Sequence, residues 1–226
     1  MPSPSLTSIE AEFAERCDRE HARTCTDTRP QGWLRRLWLW RDERLVRQAL
    51  KVAGEPGLVL DLACGPGRFW PVLAEHGNRV ILASDLSQER LDHARVHHAP
   101  VLLRRVKTFK GSAFSVDLSA NAVDCIFCLE LFRHVPVAEA RRVLLQEFHR
   151  VSRDTVIVSV NSDSFQRAAR QHSASREPAT ALAEPPVSFR AQVEAEFRQA
   201  GFNILNQQEF LPGSTLWRVY VLRKRR

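Results

Sequence analysis

Apolar and polar positions along this chain switch between two periods, and the switching predicts strands and helices in turn. Leu58-Val59-Leu60-Asp61-Leu62 is an almost continuous apolar run, the pattern of a strand covered on both faces. A helix is expected from about Phe69 to His76, where Gly77 stops it. Strands are expected over Arg79–Ser84, Val101–Thr108, Ala122–Leu129 and Asp154–Val160, with helices over Gln88–His97 and Val137–Val151 among them. Ser188 caps a last helix that ends at Gly201. Phe202–Phe210 and Thr215–Arg223 flank Leu211-Pro212-Gly213-Ser214 and read as an antiparallel hairpin. Ahead of the first strand, Ser8 caps a helix through about residue 24, with Glu10 and Glu12 near its positive end. After the Thr26–Gly32 break a second helix runs from Trp33 to Val52, its Leu34, Leu37, Trp38, Leu45 and Ala49 close to an i, i+3, i+4 stripe.

This order predicts an α/β fold: a Rossmann-like, doubly wound, mostly parallel seven-stranded sheet with a C-terminal antiparallel hairpin and an N-terminal helical extension. Residues 1–52 are the extension or lid, and residues 53–226 the main domain. Within it, Asn161–Pro186 is polar and carries Pro178, Pro185 and Pro186, so it is expected to be a substrate-facing insert. There is no internal repeat.

Composition narrows the class. At 226 residues and 44% hydrophobic, the chain has the makings of one sizeable core, which excludes wholesale disorder. No run approaches the roughly 18 apolar residues of a membrane span. The start, Met1-Pro2-Ser3-Pro4-Ser5-Leu6, has neither a basic head nor an apolar stretch after it, so a cytoplasmic location is expected. The net charge of +7 comes from 33 Lys and Arg residues, only four of them lysines, scattered among 26 acids. Scatter of this kind reads as solubility rather than a nucleic-acid footprint. Two local exceptions, Arg35-Arg36 with Arg41, Arg44 and Arg47, and Arg223-Lys224-Arg225-Arg226, offer contacts for an anionic surface. Five cysteines, at 17, 25, 64, 125 and 128, are an odd count that fits free thiols in a reducing compartment. Cys125-Ile126-Phe127-Cys128 has the spacing of a metal pair, but it lies inside an apolar strand with no second pair, and packing is the expected role.

The chemistry concentrates in Asp61-Leu62-Ala63-Cys64-Gly65-Pro66-Gly67, between the first strand and the next helix. Glycine lets the backbone turn sharply and approach a ligand without Cβ obstruction. The carboxyl end of a strand is where open α/β sheets place cofactors. Twenty positions after Gly65 comes Asp85, at the end of the second strand, where a carboxylate accepts both hydroxyl protons of a ribose. A dinucleotide fingerprint would put its third glycine at position 70, but Trp70 stands there, which argues against NAD and FAD. No P-loop pattern exists. A cofactor with ribose and adenine, no pyrophosphate and an amino-acid end remains, and S-adenosylmethionine fits that description.

From about Leu58 to Val160 the chain resembles a class I S-adenosylmethionine-dependent methyltransferase of the broad UbiE/BioC-like, type 11 kind. The resemblance is carried by Val59-Leu60-Asp61-Leu62-Ala63-Cys64-Gly65-Pro66-Gly67-Arg68, by Ser84-Asp85-Leu86-Ser87 and by Val123-Asp124-Cys125-Ile126-Phe127-Cys128-Leu129-Glu130. Phe189–Phe202, with Gln199-Ala200-Gly201-Phe202, is similar to the helix and strand that follow the central sheet in this family. The resemblance implies that Asp61, Ala63, Cys64, Gly65 and Gly67 face the methionine portion, with Asp85 on the ribose hydroxyls and Leu86 against the adenine. Lys110-Gly111-Ser112-Ala113 falls where the family often has Gly-Asp-Ala; Ser112 replaces the acid, which weakens that contact or moves it to the backbone. Cys128 and Leu129 would pass beside the sulfonium.

Methyl transfer from a sulfonium needs a base only when the acceptor must lose a proton. Glu130-Leu131-Phe132-Arg133-His134 supplies the candidates, Glu130 and His134, which share one face if the segment is helical. The segment also resembles the Glu-x-x-Glu-His element of ubiquinone-pathway O-methyltransferases, linked to a divalent metal; Arg133 in place of the second glutamate argues against one. The expected partner is a small-molecule methyl acceptor, covered by the N-terminal helices and the insert. Trp33, Trp38 and Trp40 among Arg35, Arg36 and Arg41 allow a lid packed on the core, a pocket for an aromatic or lipid-like acceptor, or a weak peripheral membrane contact through Trp33–Arg41. Asn161 is a further acceptor contact or a turn residue. Two other functions stand beside the enzyme: a cofactor-binding regulatory or adaptor protein with little turnover, and an RNA or DNA methyltransferase. Against the last, Cys128-Leu129-Glu130-Leu131 stands where base methylation places Asn/Asp-Pro-Pro-aromatic.

Overall fold

In a computed structural model, the strands expected from the sequence assemble into one seven-stranded sheet. The structure describes residues 33–129, 131–135, 137–161, 189–209 and 217–225. The helix expected from Ser8, Glu130, the 162–186 stretch of the insert, Ser188 and the 211–214 turn lie outside the described residues.

The strands are β1 (Leu58–Leu62), β2 (Val80–Asp85), β3 (Val106–Lys110), β4 (Val123–Cys128), β5 (Ser152–Asn161), β6 (Phe202–Glu209) and β7 (Trp217–Lys224). Their spatial order is β3-β2-β1-β4-β5-β7-β6. β1 to β5 are parallel, whereas β7 runs antiparallel to both β5 and β6. The helices are α1 (Trp33–Val52), α2 (Trp70–Leu73), α3 (Gln88–His97), α4 (Pro100–Leu103), α5 (Ala138–Val151) and α6 (Phe189–Gln199), with a 3-10 turn at Leu131–His134.

Period-2 alternation divides the sheet's side chains between two cores. Leu60, Leu62, Ile126, Val156, Val158, Tyr220 and Leu222 meet Leu144, Leu145 and Phe148 of α5 and Val193 and Phe197 of α6. Val59, Ile81, Phe127, Ile157, Val219 and Val221 meet Val46, Ala49 and Leu50 of α1, Trp70 and Leu73 of α2, and Leu91 and Ala94 of α3. Both faces are covered, which is why β1 and β4 read as nearly unbroken apolar runs. Among the described side chains of α1, those of its second half join the core, whereas Leu37, Trp38 and Trp40 are each about half exposed.

Two expected elements are corrected. Val101–Thr108 is not one strand. Pro100 starts a helical turn, as its fixed φ favours at a first helical position, so Val101, Leu102 and Leu103 are helical and β3 begins at Val106. The helix after the glycine loop is also shorter than Phe69–His76, spanning only Trp70–Leu73. α3 forms as expected, with Ser87 as its N-cap accepting from Arg90 N and Glu89 in its first turn.

One backbone feature carries a prediction. Ala63, just past β1, has φ +59°, the left-handed region where Cβ crowds the following carbonyl. Ala63→Gly relieves this without touching the loop's hydrogen bonds. It should stabilise the protein by about 1 kcal/mol, a rise of roughly 2–4 °C in Tm by scanning calorimetry. An unchanged or lower Tm contradicts the strain.

Candidate functional site

β1 leads on one side to β2 and β3, and β4 and β5 lie on its other side, so the sheet's topological switch point falls between β1 and β4. Ligands of open α/β sheets bind outside the carboxyl ends of the strands at that point. The segments of the expected cofactor residues all reach this edge: Asp61, Ala63, Cys64, Gly65 and Gly67 from β1, Asp85 and Leu86 from β2, Ser112 and Ala113 after β3, and Cys128 and Leu129 from β4. Register pairs Leu62 with Ser84 and Asp85 with Lys110, so the three strand ends stand side by side.

The loop after β1 is built by left-handed backbone at Ala63, Gly65 and Gly67, with φ +59°, +54° and +73°. Cys64 N donates to Ser84 O at 3.0 Å, and Gly67 N to Cys64 O at 3.0 Å. Asp85, 3% exposed, closes the arrangement. Its Oδ2 accepts from Gly65 N at 2.8 Å and its Oδ1 from Ser87 N at 2.9 Å, with Arg90 Nη1 at 3.7 Å from Oδ1. Asp85 therefore ties the glycine loop to the start of α3. Each of its oxygens has a second lone pair left for a hydroxyl donor.

Asp61 is buried on the same face, and its Oδ2 accepts from Trp70 Nε1 at 3.0 Å. Burial pushes its carboxyl up to about 7, the Trp70 N–H pulls it down, and the negative charge of Asp85 raises it again. Burial also holds the Cys64 thiol far above its ordinary value, reinforced by Asp61 and Asp85, and raises Cys128 in the same way. These thiols are packing groups at neutral pH rather than thiolates. Cys125 and Cys128 belong to the two opposite cores, so they do not face one another across a shared ion. Among the described residues, no three His, Cys, Asp or Glu side chains are gathered closely enough to hold a metal ion.

Ser112 Oγ accepts from Phe114 N at 3.1 Å, which turns its oxygen into the following backbone. Gly111 N donates to Asp85 O at 3.1 Å and fixes that loop against β2. Leu86 is half-buried, and Ala113, Cys128 and Leu129 are buried. His134 ends the 3-10 turn after β4, half-buried, and its Nε2 accepts from Arg133 Nε at 2.9 Å. To take a proton at Nε2, His134 must first lose that contact. Glu130, its expected partner, lies outside the described residues.

The structure gives Trp70 and Arg68 contacts the sequence did not assign, and brings His98 and Asp42 to the loop. Trp70 is no obstacle to a close turn: its buried indole lies under the loop, where a Cβ on Gly67 would stand 2.5 Å from the ring. His98 packs on that indole at a centroid distance of 4.9 Å, and its Nε2 lies 3.0 Å from Pro66 O. Arg68 forms an ion pair with Asp42 of α1, joining the loop to the N-terminal helix. None of these belongs to a spacing pattern, since each pairs residues brought together only by the turn after β1.

Residues 59–155 match the sequence profile of a family described as a methyltransferase domain. No match was found among curated proteins. Among solved structures, the chain resembles magnesium protoporphyrin IX methyltransferase from Synechocystis with bound S-adenosylhomocysteine (TM-score 0.65, 18% identity, 96% of this chain and 98% of that one). It also resembles S-adenosylmethionine-dependent methyltransferases from Aquifex aeolicus (0.58, 19%, 81% and 92%) and Methanosarcina mazei (0.58, 17%, 74% and 92%). At these identities the likeness is one of fold. The profile match of residues 59–155 to a methyltransferase domain and the fold of these S-adenosylmethionine-dependent enzymes point the same way.

Proposed function

We propose that the protein transfers a methyl group from S-adenosylmethionine to a small-molecule acceptor, and that the glycine loop with Asp61 and Asp85 holds the donor. The carrying observation is the pair of carboxylates beside a backbone bend at the switch point: Asp61 is buried, and Asp85 lies close enough to raise its proton affinity. Such a pair suits a ligand bearing positive charge, and the donor is both a sulfonium and an ammonium cation. The bend is also clear on the ligand side at Gly65, where an added Cβ would meet nothing within 4 Å. Asp61, Ala63, Cys64, Gly65 and Gly67 would then line the methionine portion, Asp85 would accept from the ribose hydroxyls, and Leu86, Ser112 and Ala113 would border the adenine. Cys128 and Leu129 would flank the sulfonium.

The bound donor supplies an already activated methyl carbon, so the chain's task is to place the acceptor in line with it. Because the Nε2 of His134 accepts from Arg133, the reading favours an acceptor that attacks without prior proton removal at that atom. The same contact supports the second reading, a cofactor-binding regulatory protein with little turnover. Release of S-adenosylhomocysteine in an acceptor screen separates the two. The exposed Leu37, Trp38 and Trp40, with the Arg44 guanidinium 5.6 Å from the Trp40 ring, support a weak peripheral contact with anionic lipid. Among the described residues, no helix is long and apolar enough to cross a membrane.

Asp85→Ala is the direct test of the donor site. It removes the ribose acceptor and the link between loop and α3. Calorimetric affinity for S-adenosylhomocysteine should fall at least tenfold, from a hydrogen-bond loss of about 1.5–3 kcal/mol. Undiminished affinity refutes the assignment.

A further inference from the structure

On β6 the side chains change faces part-way along the strand. Ile204 pairs with Leu222 and packs on the α5–α6 side. The register then slips by one residue at Leu205, so Asn206 pairs with Val221 and Gln208 with Val219. Val219 and Val221 belong to the opposite core, beneath Val46 and Ala49 of α1. The bulge therefore swings Asn206 and Gln208 under α1, where unbroken alternation would leave them with Ile204 on the other face. Bulges of this kind recur next to active sites, where they re-aim a side chain.

What the bulge turns inward is polar and carries buried atoms with no hydrogen-bond partner. Gln208 is 7% exposed, and neither its Oε1 nor its Nε2 bonds to any group of the protein; Asn206 Oδ1 is buried in the same condition. A fourth such atom comes from α1 itself. Asp42, 6% exposed, directs one oxygen to Arg68 of the glycine loop, and its Oδ1 is buried without a partner. A buried polar group left without a partner destabilises the fold. A strand that bends its register to place such groups is arranged for something that satisfies them.

Their position says what that is. β6 runs parallel to β5, and Gln208 pairs through Val219 with Ser159, one residue beyond the Val158–Cys128 pair. Gln208 thus stands level with the residue after β4, on the edge of the sheet that carries the glycine loop. Three strand spacings separate β4 from β6, about 14 Å. A carboxamide offers one donor and one acceptor side by side, so its complement is a group with the same two functions reversed.

We infer that Gln208, turned inward by the Leu205 bulge, is an acceptor-specificity residue. It binds an amide, lactam or carboxylic acid edge of the methyl acceptor at the sheet's carboxyl edge, roughly three strands from β4. This rests on the methyltransferase reading and sharpens its acceptor: a polar molecule recognised at an end remote from the methylated atom. Recognition at such a remote end orients the reacting end without touching it.

The test uses benzamide, which carries the required edge, and acetophenone, which has the same carbonyl but no N–H. Thermal melts are recorded with saturating S-adenosylhomocysteine for the wild type, Gln208→Met and Gln208→Leu. Removing an unsatisfied amide should raise the Tm of the benzamide-free protein by roughly 2–4 °C in at least one variant. Benzamide should raise the wild-type Tm more than acetophenone does, and this difference should vanish in both variants. A lower Tm in both variants shows that the amide already has partners and overturns the inference. So does a benzamide shift that is absent in the wild type, matched by acetophenone, or retained without the amide. S-adenosylhomocysteine affinity, measured on the same proteins, should be unchanged by either substitution. Failure of the wild type to bind it would count against the methyltransferase reading instead.

Discussion

Asp61→Asn should make the ligand-free protein more stable at pH 8 while weakening its hold on S-adenosylmethionine. Burial, offset by the Trp70 N–H and reinforced by Asp85, lifts the Asp61 carboxyl from 3.8 to about 7. Between those values the folded chain keeps a proton that the unfolded chain has already released. Stability therefore falls as pH rises through this window, and the full penalty is present above pH 7. At about 1.4 kcal/mol per pH unit, the penalty reaches roughly 4 kcal/mol. Asparagine has the same shape, still accepts from Trp70 Nε1 and never ionises. The variant should therefore melt on the order of 10 °C above the wild type at pH 8, with the gap closing towards pH 4. A gap that is absent at pH 8, or equally large at both pH values, would show that Asp61 is not held against its charge.

The same arithmetic fixes how ligand affinity depends on pH. On the proposal that Asp61 faces the cationic donor, the ionised carboxylate is the binding form, so below pH 7 binding must first remove its proton. Wild-type affinity should climb with pH up to about 7 and then level off. Asp61→Asn should lose this slope, together with a charge-assisted contact of about 1.5–3 kcal/mol, which is roughly tenfold to a hundredfold in affinity. Isothermal titration at pH 5.5 and 8 reads both effects. On the same proposal this is the common exchange of stability for function, since above pH 7 the ligand-free site holds a buried charge that a bound cation would neutralise.

Much of this arrangement could be read along the chain, because its physics is local. The apolar runs of β1 and β4 follow from burial on both faces, and α3 follows from Ser87 and Glu89 at its start and Arg95 and His97 at its end. Asp85 falls at the end of β2, one strand from the loop, because a strand–helix–strand unit has a nearly fixed length. What escaped the sequence is non-local or conformational. Val101-Leu102-Leu103 is as apolar as a strand, and only the fixed φ of Pro100 and the pairing of Val106 with Ile81 settle its state. The place of the Trp70 indole under the loop is equally non-local, because its direction is set by Asp61, nine residues earlier. The bulge at Leu205 leaves no local trace, as the register of an edge strand is decided by its neighbour β7.

Gly67→Ala should be the most damaging single-methyl change in the glycine loop, and the reason separates into two parts. The first is conformational. Gly67 has φ +73°, where an L side chain costs about 1–2 kcal/mol. The second is collision: the new Cβ would lie 2.5–2.7 Å from Trp70 Cδ2, Cε3 and Cε2. That indole has little room to yield, being fully buried, bonded to Asp61 and packed on His98. Overpacking of this kind costs about 1–3 kcal/mol more, for a total of about 2–5 kcal/mol against a typical stability of about 5–15 kcal/mol. Gly65→Ala supplies the comparison: its φ of +54° carries the conformational cost, yet its Cβ would meet nothing within 4 Å. Denaturant unfolding should therefore place Gly65→Ala about 1–2 kcal/mol below the wild type and Gly67→Ala clearly below that. In a Trp70→Ala background the collision is gone, and Gly67→Ala should cost no more than Gly65→Ala does in the parent protein. Equal losses at the two glycines, or an undiminished loss at Gly67 without the indole, would mean that Trp70 does not lie under the loop. The Asp61 hydrogen bond would then need another explanation.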